Sequence, residues 1–202
     1  MRIRSIVAGT AALILMAGCS NGGGTTGTPT NETQPTSTSA GNGGGAPKVS
    51  NPLTLTAVEG APCSAVTADQ LTTYGLPGVQ GSVNSGAPGP ACKWSGALTA
   101  AETSTGMVIL PAGTSLNTTY AKKSSYALFE ELPAIQGYPA VAASAADMRK
   151  DGSCDIIVGA SDDRAILFTL LSDGKSKYFA DPCAGAIEFA NLAITTIKAG
   201  AK

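Results

Sequence analysis

Cys63, Cys92, Cys154 and Cys183 constrain this chain more than any other feature, because four cysteines staple a fold in an oxidising compartment and serve metal or redox chemistry in a reducing one. The N-terminus decides between the two. Arg2 and Arg4 supply a cationic start, and Ile6 to Ala17 form an apolar run too short to span a bilayer. Leu15-Met16-Ala17-Gly18-Cys19 then sets small residues directly before a cysteine, the pattern of a lipoprotein signal peptide over residues 1–18. Met16 stands where leucine is commonest, and its apolar side chain keeps the pattern. Such a signal predicts diacylglyceryl attachment to the Cys19 thiol, cleavage that makes Cys19 the new N-terminus, and further acylation by chains such as palmitate. Each buried methylene contributes about 0.8 kcal/mol, so two or three chains hold a protein on the extracytoplasmic face of the cell membrane.

The sequence has 13 basic and 14 acidic residues, and loss of Arg2 and Arg4 with the signal leaves 11 against 14. That balance offers nothing to nucleic acid, which is not expected as a partner. Histidine is absent. Its absence removes the usual general base near neutral pH and the commonest metal ligand. Beyond the signal, no apolar run reaches membrane-spanning length.

Residues 19–52 are nearly all Gly, Thr, Ser, Pro, Asn and Ala, with no large apolar side chain before Val49. Such a stretch cannot offset the entropy of ordering, so a lipidated, disordered tether is expected. As a flexible coil it spans about 30 Å and extends to roughly 110 Å. Thr25, Thr26, Thr28, Thr30, Thr33, Thr36 and Thr38, mixed with Pro29 and Pro35, resemble O-glycosylated tethers. Asn31-Glu32-Thr33 and Asn117-Thr118-Thr119 match the N-glycosylation pattern and are read as chance.

One domain is expected over residues 53–202, long enough to bury a single core. Thr67-Ala68-Asp69-Gln70 reads as a capping box, with Leu71 and Tyr74 on the helix's buried side, Gly75 as its C-cap and Pro77 beyond. Gly78 to Pro90 reads as a loop. Ala91 to Ala97 and Met107 to Leu110 read as paired strands, and Thr114 or Ser115 caps a second helix in which Leu116 and Tyr120 share a face. Phe129 to Ile135 and Tyr138 to Ala143 form a hairpin turning at Gln136-Gly137. Asp155 to Ala160 and Ala165 to Leu171 form another, turning at Ser161-Asp162-Asp163. The final helix is the best specified, with Asp181 as N-cap, Pro182 at its first position, and Ile187, Ala190, Ile194 and Ile197 as its stripe. The expected architecture is α+β: a largely antiparallel sheet of about six strands packed with three helices.

Four cysteines allow three pairings. A hairpin leaving Cys154 returns near it at Leu171, and a short loop then reaches the final helix, which favours Cys154–Cys183. Cys63 precedes the first helix and Cys92 starts the strand it packs on, which leaves Cys63–Cys92. Each bridge closes a loop of about 29 residues, worth on the order of 3.5 kcal/mol in the chain-entropy model. No Cys-x-x-Cys knuckle is present, so no structural metal is expected.

Pro62-Cys63-Ser64, Cys92-Lys93-Trp94, Gly137-Tyr138-Pro139-Ala140-Val141, Gly152-Ser153-Cys154 and Asp181-Pro182-Cys183 occur in an order and spacing that resembles an actinobacterial lipoprotein family, domain of unknown function 3558. The resemblance runs from about Gly60 to Lys198. It implies a surface lipoprotein with two disulfides and carries over no catalytic residue. A kinship with the Mog1/PsbP-like fold of other mycobacterial lipoproteins is an analogy.

Candidates for chemistry are few. Asp147, Asp151 and Asp155 around Gly152 miss the EF-hand spacing at every later ligand position and read as a polar turn before a strand. Glu130 and Glu131 are adjacent along a strand, so they point to opposite faces and form no carboxylate pair. Ser64, Ser85 and Ser153 have no histidine to activate them, and no Gly-x-Ser-x-Gly elbow occurs. Trp94 and Tyr138 read as core. Gly22-Gly23-Gly24 and Gly43-Gly44-Gly45 lie in the tether, without the strand and helix of a phosphate loop.

These residues suggest a non-enzymatic, lipid-anchored binding domain, without catalytic residues, metal or cofactor. It meets the membrane through the lipid on Cys19 and binds an envelope protein, a lipid or a small molecule. An adaptor module for envelope proteins, and a hydrolase or transferase whose carboxylates or lysines meet only on folding, are the alternatives. A deep apolar cavity favours ligand carriage, a flat apolar patch a protein partner, and converging Asp, Glu and Lys catalysis.

Overall fold

In the computed structural model, which describes residues 45–200, period-two alternation turns directly into a two-faced sheet. Along β2 (Ala91–Gly96), Cys92, Trp94 and Gly96 are buried while Lys93 and Ser95 face solvent. The alternation runs through β7 (Ala165–Ser172) from Ile166 on, through the second half of β3 (Thr103–Ile109) and through the first half of β6 (Ser153–Gly159), while the remaining residues of β3 and β6 are buried. The expected signal peptide, Cys19 and the expected tether as far as residue 44 lie outside the described residues.

The sheet has seven strands, completed by β1 (Gly81–Val83), β4 (Leu128–Ile135) and β5 (Tyr138–Ser144), in the order β1-β2-β3-β7-β6-β5-β4. Every neighbouring pair is antiparallel. The count corrects the sequence expectation of about six strands, because β1 lies inside the stretch read as a loop. Its three residues bury nothing in alternation, and its place comes from pairing with β2, Val83 opposite Cys92. Strand β3 also begins four residues earlier than Met107. Thr103 and Thr105 are buried there with their hydroxyls donating to the carbonyls of Ala101 and Thr169, so a polar run becomes strand.

Among the described residues four α-helices accompany the sheet, one more than the three expected: the unforeseen α1 (Thr56–Gly60), then α2 (Ala68–Tyr74), α3 (Leu116–Ala121) and α4 (Pro182–Lys198). The capping box of α2 is formed, Gln70 N donating to Thr67 Oγ1 at 3.2 Å and Thr67 N to Gln70 Oε1 at 2.8 Å. Asp181 caps α4 by accepting from Ala184 N at 3.1 Å, with Pro182 at the first turn.

Helix α4 lies across one sheet face with Ala186, Phe189, Ala190, Ala193, Ile194 and Ile197 buried beneath it. Phe189 is the hub: its ring sits 5.1 Å from Trp94, 5.3 Å from Tyr74 and 6.4 Å from Phe168, each edge-on. The opposite face is covered only in part. Leu116 and Tyr120 of α3 pack on Val141, Ala143, Ile157 and Phe129, Tyr120 meeting the Phe129 ring edge-on at 5.1 Å.

Cys63 bonds to Cys92 and Cys154 to Cys183. The first pair pins the single turn at Pro62–Ala65 to β2, and the second ties β6 to the first turn of α4. Packing also begins upstream of Leu53. Val49 packs against the main core and Ala46 against the second cluster. The Lys48 ammonium lies 3.1 Å from Asp162, whose carboxylate also accepts from Val49 N at 3.2 Å.

Candidate functional site

Three segments meet at the Ser172 end of β7. The first is the C-terminus of α2, where Gly75 adopts φ 104°, a left-handed conformation that glycine takes without strain, and turns the chain to bury Leu76. The second is the β2–β3 turn, held by Thr99 Oγ1 donating to Gly96 O at 2.7 Å. The third is the connection from β7 to α4, docked by Asp173 N donating to Glu102 O at 2.9 Å and by a hydroxyl contact between Ser176 and Thr103.

Between them lies an open slot of about 380 Å³, lined mainly by apolar atoms of Tyr74, Leu76, Ala100, Ala101 and Tyr178, with Lys175 and Lys177 on its rim. The volume falls at the lower end of the range for small-molecule sites, roughly 300–1,000 Å³. Tyr74 and Tyr178 form its aromatic wall, stacked with centroids 5.0 Å apart. The Tyr74 hydroxyl donates to Gly185 O at 3.1 Å, and the Tyr178 hydroxyl lies 3.0 Å from both Tyr74 O and Glu188 Oε2. Gly185 makes this wall possible, since a Cβ there would fall 2.6 Å from the Tyr178 ring.

Burial, and then the neighbouring Tyr178 and Glu188, push the Tyr74 phenol far above its ordinary value, and burial with the bond to Glu188 does the same to Tyr178. Both phenols therefore stay neutral near neutral pH and act as wall and hydrogen-bond donor. Lys177 Nζ rests 4.5 Å above the Tyr178 ring, and Lys175 Nζ lies 3.2 Å from Glu102.

The residues singled out in the sequence do not converge here. Trp94 and Tyr138 are buried in the main core. Asp147 is held by Arg149 at 2.6 and 2.8 Å, and these hydrogen bonds bring its carboxyl down to about 2. Asp155 sits on the opposite sheet face, bonded by Ser144 Oγ at 3.3 Å, and burial raises its carboxyl. Asp162 and Asp163 lie in the β6–β7 turn, where Ser161 Oγ donates to Asp163. Glu130 and Glu131 pair with different partners, Arg149 and Lys123, as side chains on opposite strand faces must. Ser64 Oγ donates to the carbonyl of Ala61 at 2.8 Å. Among the described residues, no three His, Cys, Asp or Glu side chains group as metal ligands.

A second surface lies where α3 leaves the sheet bare. Register places Lys93, Gly106, Thr169 and Asp155 in one row across β2, β3, β7 and β6, beside a row of Ser95, Ser104, Leu171 and Ser153. This shelf holds a shallow hollow of about 230 Å³. Lys93 and Asp155 stand three strand spacings apart, about 14 Å between backbones, too far for a shared proton.

Of the slot, the sequence reading identified Tyr74 and Gly75 as helix-end residues and missed Lys175, Lys177 and Tyr178. The only available signal was two lysines flanking Ser176 just ahead of Tyr178-Phe179, which does not specify the element they meet.

The family model described as Protein of unknown function (DUF3558) matches residues 14–196, and the chain belongs to that family. No curated protein matches it, and no solved structure does.

Proposed function

We propose that this family member is a lipid-anchored envelope protein of actinobacterial type, held on the extracytoplasmic face of the membrane through Cys19, whose domain binds a small ligand without catalysing a reaction. The slot carries the reading: an apolar recess of about 380 Å³ with an ammonium rim, set at the end of a domain whose sheet–helix interior is filled by Trp94, Phe168 and Phe189. Two disulfides fit an oxidising compartment, which supports export. Binding at the slot needs no nucleophile, and the neutral phenols at its wall supply none.

Native mass spectrometry of the protein purified from its own host tests the binding function. A retained small molecule is the expected result, and an empty protein counts against a tight-binding carrier. Metabolic labelling with a fatty-acid analogue tests the anchor: label on the wild type and none on Cys19→Ala is expected, and equal label on both ends the claim.

The bare shelf favours one other reading, an adaptor that binds an envelope protein across β2, β3 and β7, where Leu171 stands exposed. A slot that stays empty, together with a specific cross-link from Lys93 to another envelope protein, would favour it.

A further inference from the structure

We infer that the slot takes a small amphiphile, a short acyl or alkyl segment ending in a single anionic head, carboxylate or phosphate; this rests on the slot being the ligand site. The tail is matched by the apolar surface of Ala100 and Ala101, beside a floor in which Leu76 and Tyr178 are buried. The volume suits a short chain. Leu98, fully exposed on the adjoining β2–β3 turn, offers the next apolar contact to a chain that outruns the slot.

The head is matched by Lys177. Its ammonium makes no ion pair among the described residues and rests on the face of Tyr178, with Tyr74 at 5.8 Å. A ring face is a weak partner for an exposed ammonium, and a carboxylate or phosphate oxygen is a stronger one, joined by a charge-assisted hydrogen bond. The Lys177 side chain also lies beside Gly75, where a Cβ would stand 3.6 Å from its Cε, so the flexible stem borders the recess and can turn its head to a bound anion. Lys175 stands on the same rim with its side chain 85% exposed, paired to Glu102 at 3.2 Å, and supplies a second ammonium. Of the nearby acids, Glu102 is paired with Lys175 and Glu188 with the Tyr178 hydroxyl. A neutral alkyl chain would fill the recess and leave Lys177 where it is. A free inorganic anion would meet the lysines and leave the recess empty.

Amide NMR of the full mature chain carrying Cys19→Ser, which removes only the acylated thiol, tests this by following Gly75, Ala101 and Lys177. The probes are octanoate, octyl phosphate, octanol and inorganic phosphate, each below any micelle concentration. Octanoate or octyl phosphate should shift these amides saturably, and the tighter of the two identifies the head group. Octanol should bind about ten-fold or more weakly, as loss of a hydrogen bond to a charged group requires. Lys177→Gln should bring the anionic probes to the level of octanol without changing octanol itself, and Ala101→Trp, which fills the recess, should abolish all three. Equal affinity for octanoate and octanol overturns the anionic head while leaving the slot as a ligand site. Inorganic phosphate binding as tightly as octyl phosphate overturns the tail. No shift at the slot with any probe overturns the slot as ligand site altogether.

Discussion

Beneath the middle of α4, aromatic rings seal the fold, while at the end of the same sheet the stacked Tyr74 and Tyr178, themselves buried, form the floor of an open recess. Phe189, Trp94 and Phe168 are packed between a helix and a strand surface, with side chains from both sides interlocking. Tyr74 and Tyr178 stack as closely, yet one flank of their pair faces three loops instead of a second regular layer. Regular elements approach each other along their whole length and leave little to fill. Loops approach at points, and the gaps between the points are where a small molecule fits. The interior is therefore closed, and the sheet end is left with an open recess.

Four substitutions probe that division. The largest effect is expected from Phe189→Ala, which empties the hub and should cost about 3–5 kcal/mol, read as a drop in the urea midpoint. Tolerance of that change would show that the interior is not the tightly filled region described. Replacing Cys154 and Cys183 together by alanine should cost on the order of 3.5 kcal/mol by releasing a loop of 29 residues. Because that loop contains all of Lys175–Tyr178, slot binding should weaken more than stability alone explains, which titration of the still-folded variant would measure. Gly185→Ala places a Cβ 2.6 Å from the Tyr178 ring and should cost about 1–3 kcal/mol while distorting the slot wall. A variant that loses stability but binds normally would separate the wall from the site.

The smallest effect is a matter of slope. Burial raises the Asp155 carboxyl above its unfolded value, so its contribution to stability is present at low pH and is lost as pH rises through the folded value. Asp155→Asn should thus gain stability relative to the wild type as pH climbs above about 4, and slot affinity should not change, since the residue lies on the opposite face. Asp147 has the opposite sign: its depressed carboxyl contributes above the ordinary carboxylate range, and that contribution is lost as pH falls towards about 2. Urea midpoints measured across this range for Asp155→Asn and Asp147→Asn would expose an error in either assignment.

The fold was more legible than the site, for physical reasons. The hairpins β4–β5 and β6–β7 are written in short apolar runs separated by turn residues, and α4 announces itself through Asp181, Pro182 and an apolar stripe. Such signals are local. Strand β1 and the start of β3 are held by backbone pairing and by the buried hydroxyls of Thr103 and Thr105, which no pattern of hydrophobicity reveals. The slot is less legible again, because Tyr74 and Tyr178 are 104 positions apart and meet through a carbonyl–hydroxyl bond and a glycine on a third element. Lys175 and Lys177 read in sequence as ordinary solvent-facing charges, and only the docking of residues 173–178 against β3 gives them a shared edge.

The attachment at Asp162 has a directional consequence. Lys48 and Val49 fasten to the β6–β7 turn, beside Ala165, whereas the recess opens beside Ser172, at the other extremity of β7 and roughly 23 Å away at strand rise. The described chain thus enters the fold at one pole and the recess opens at the other, so residues 46–52 leave its mouth unobstructed.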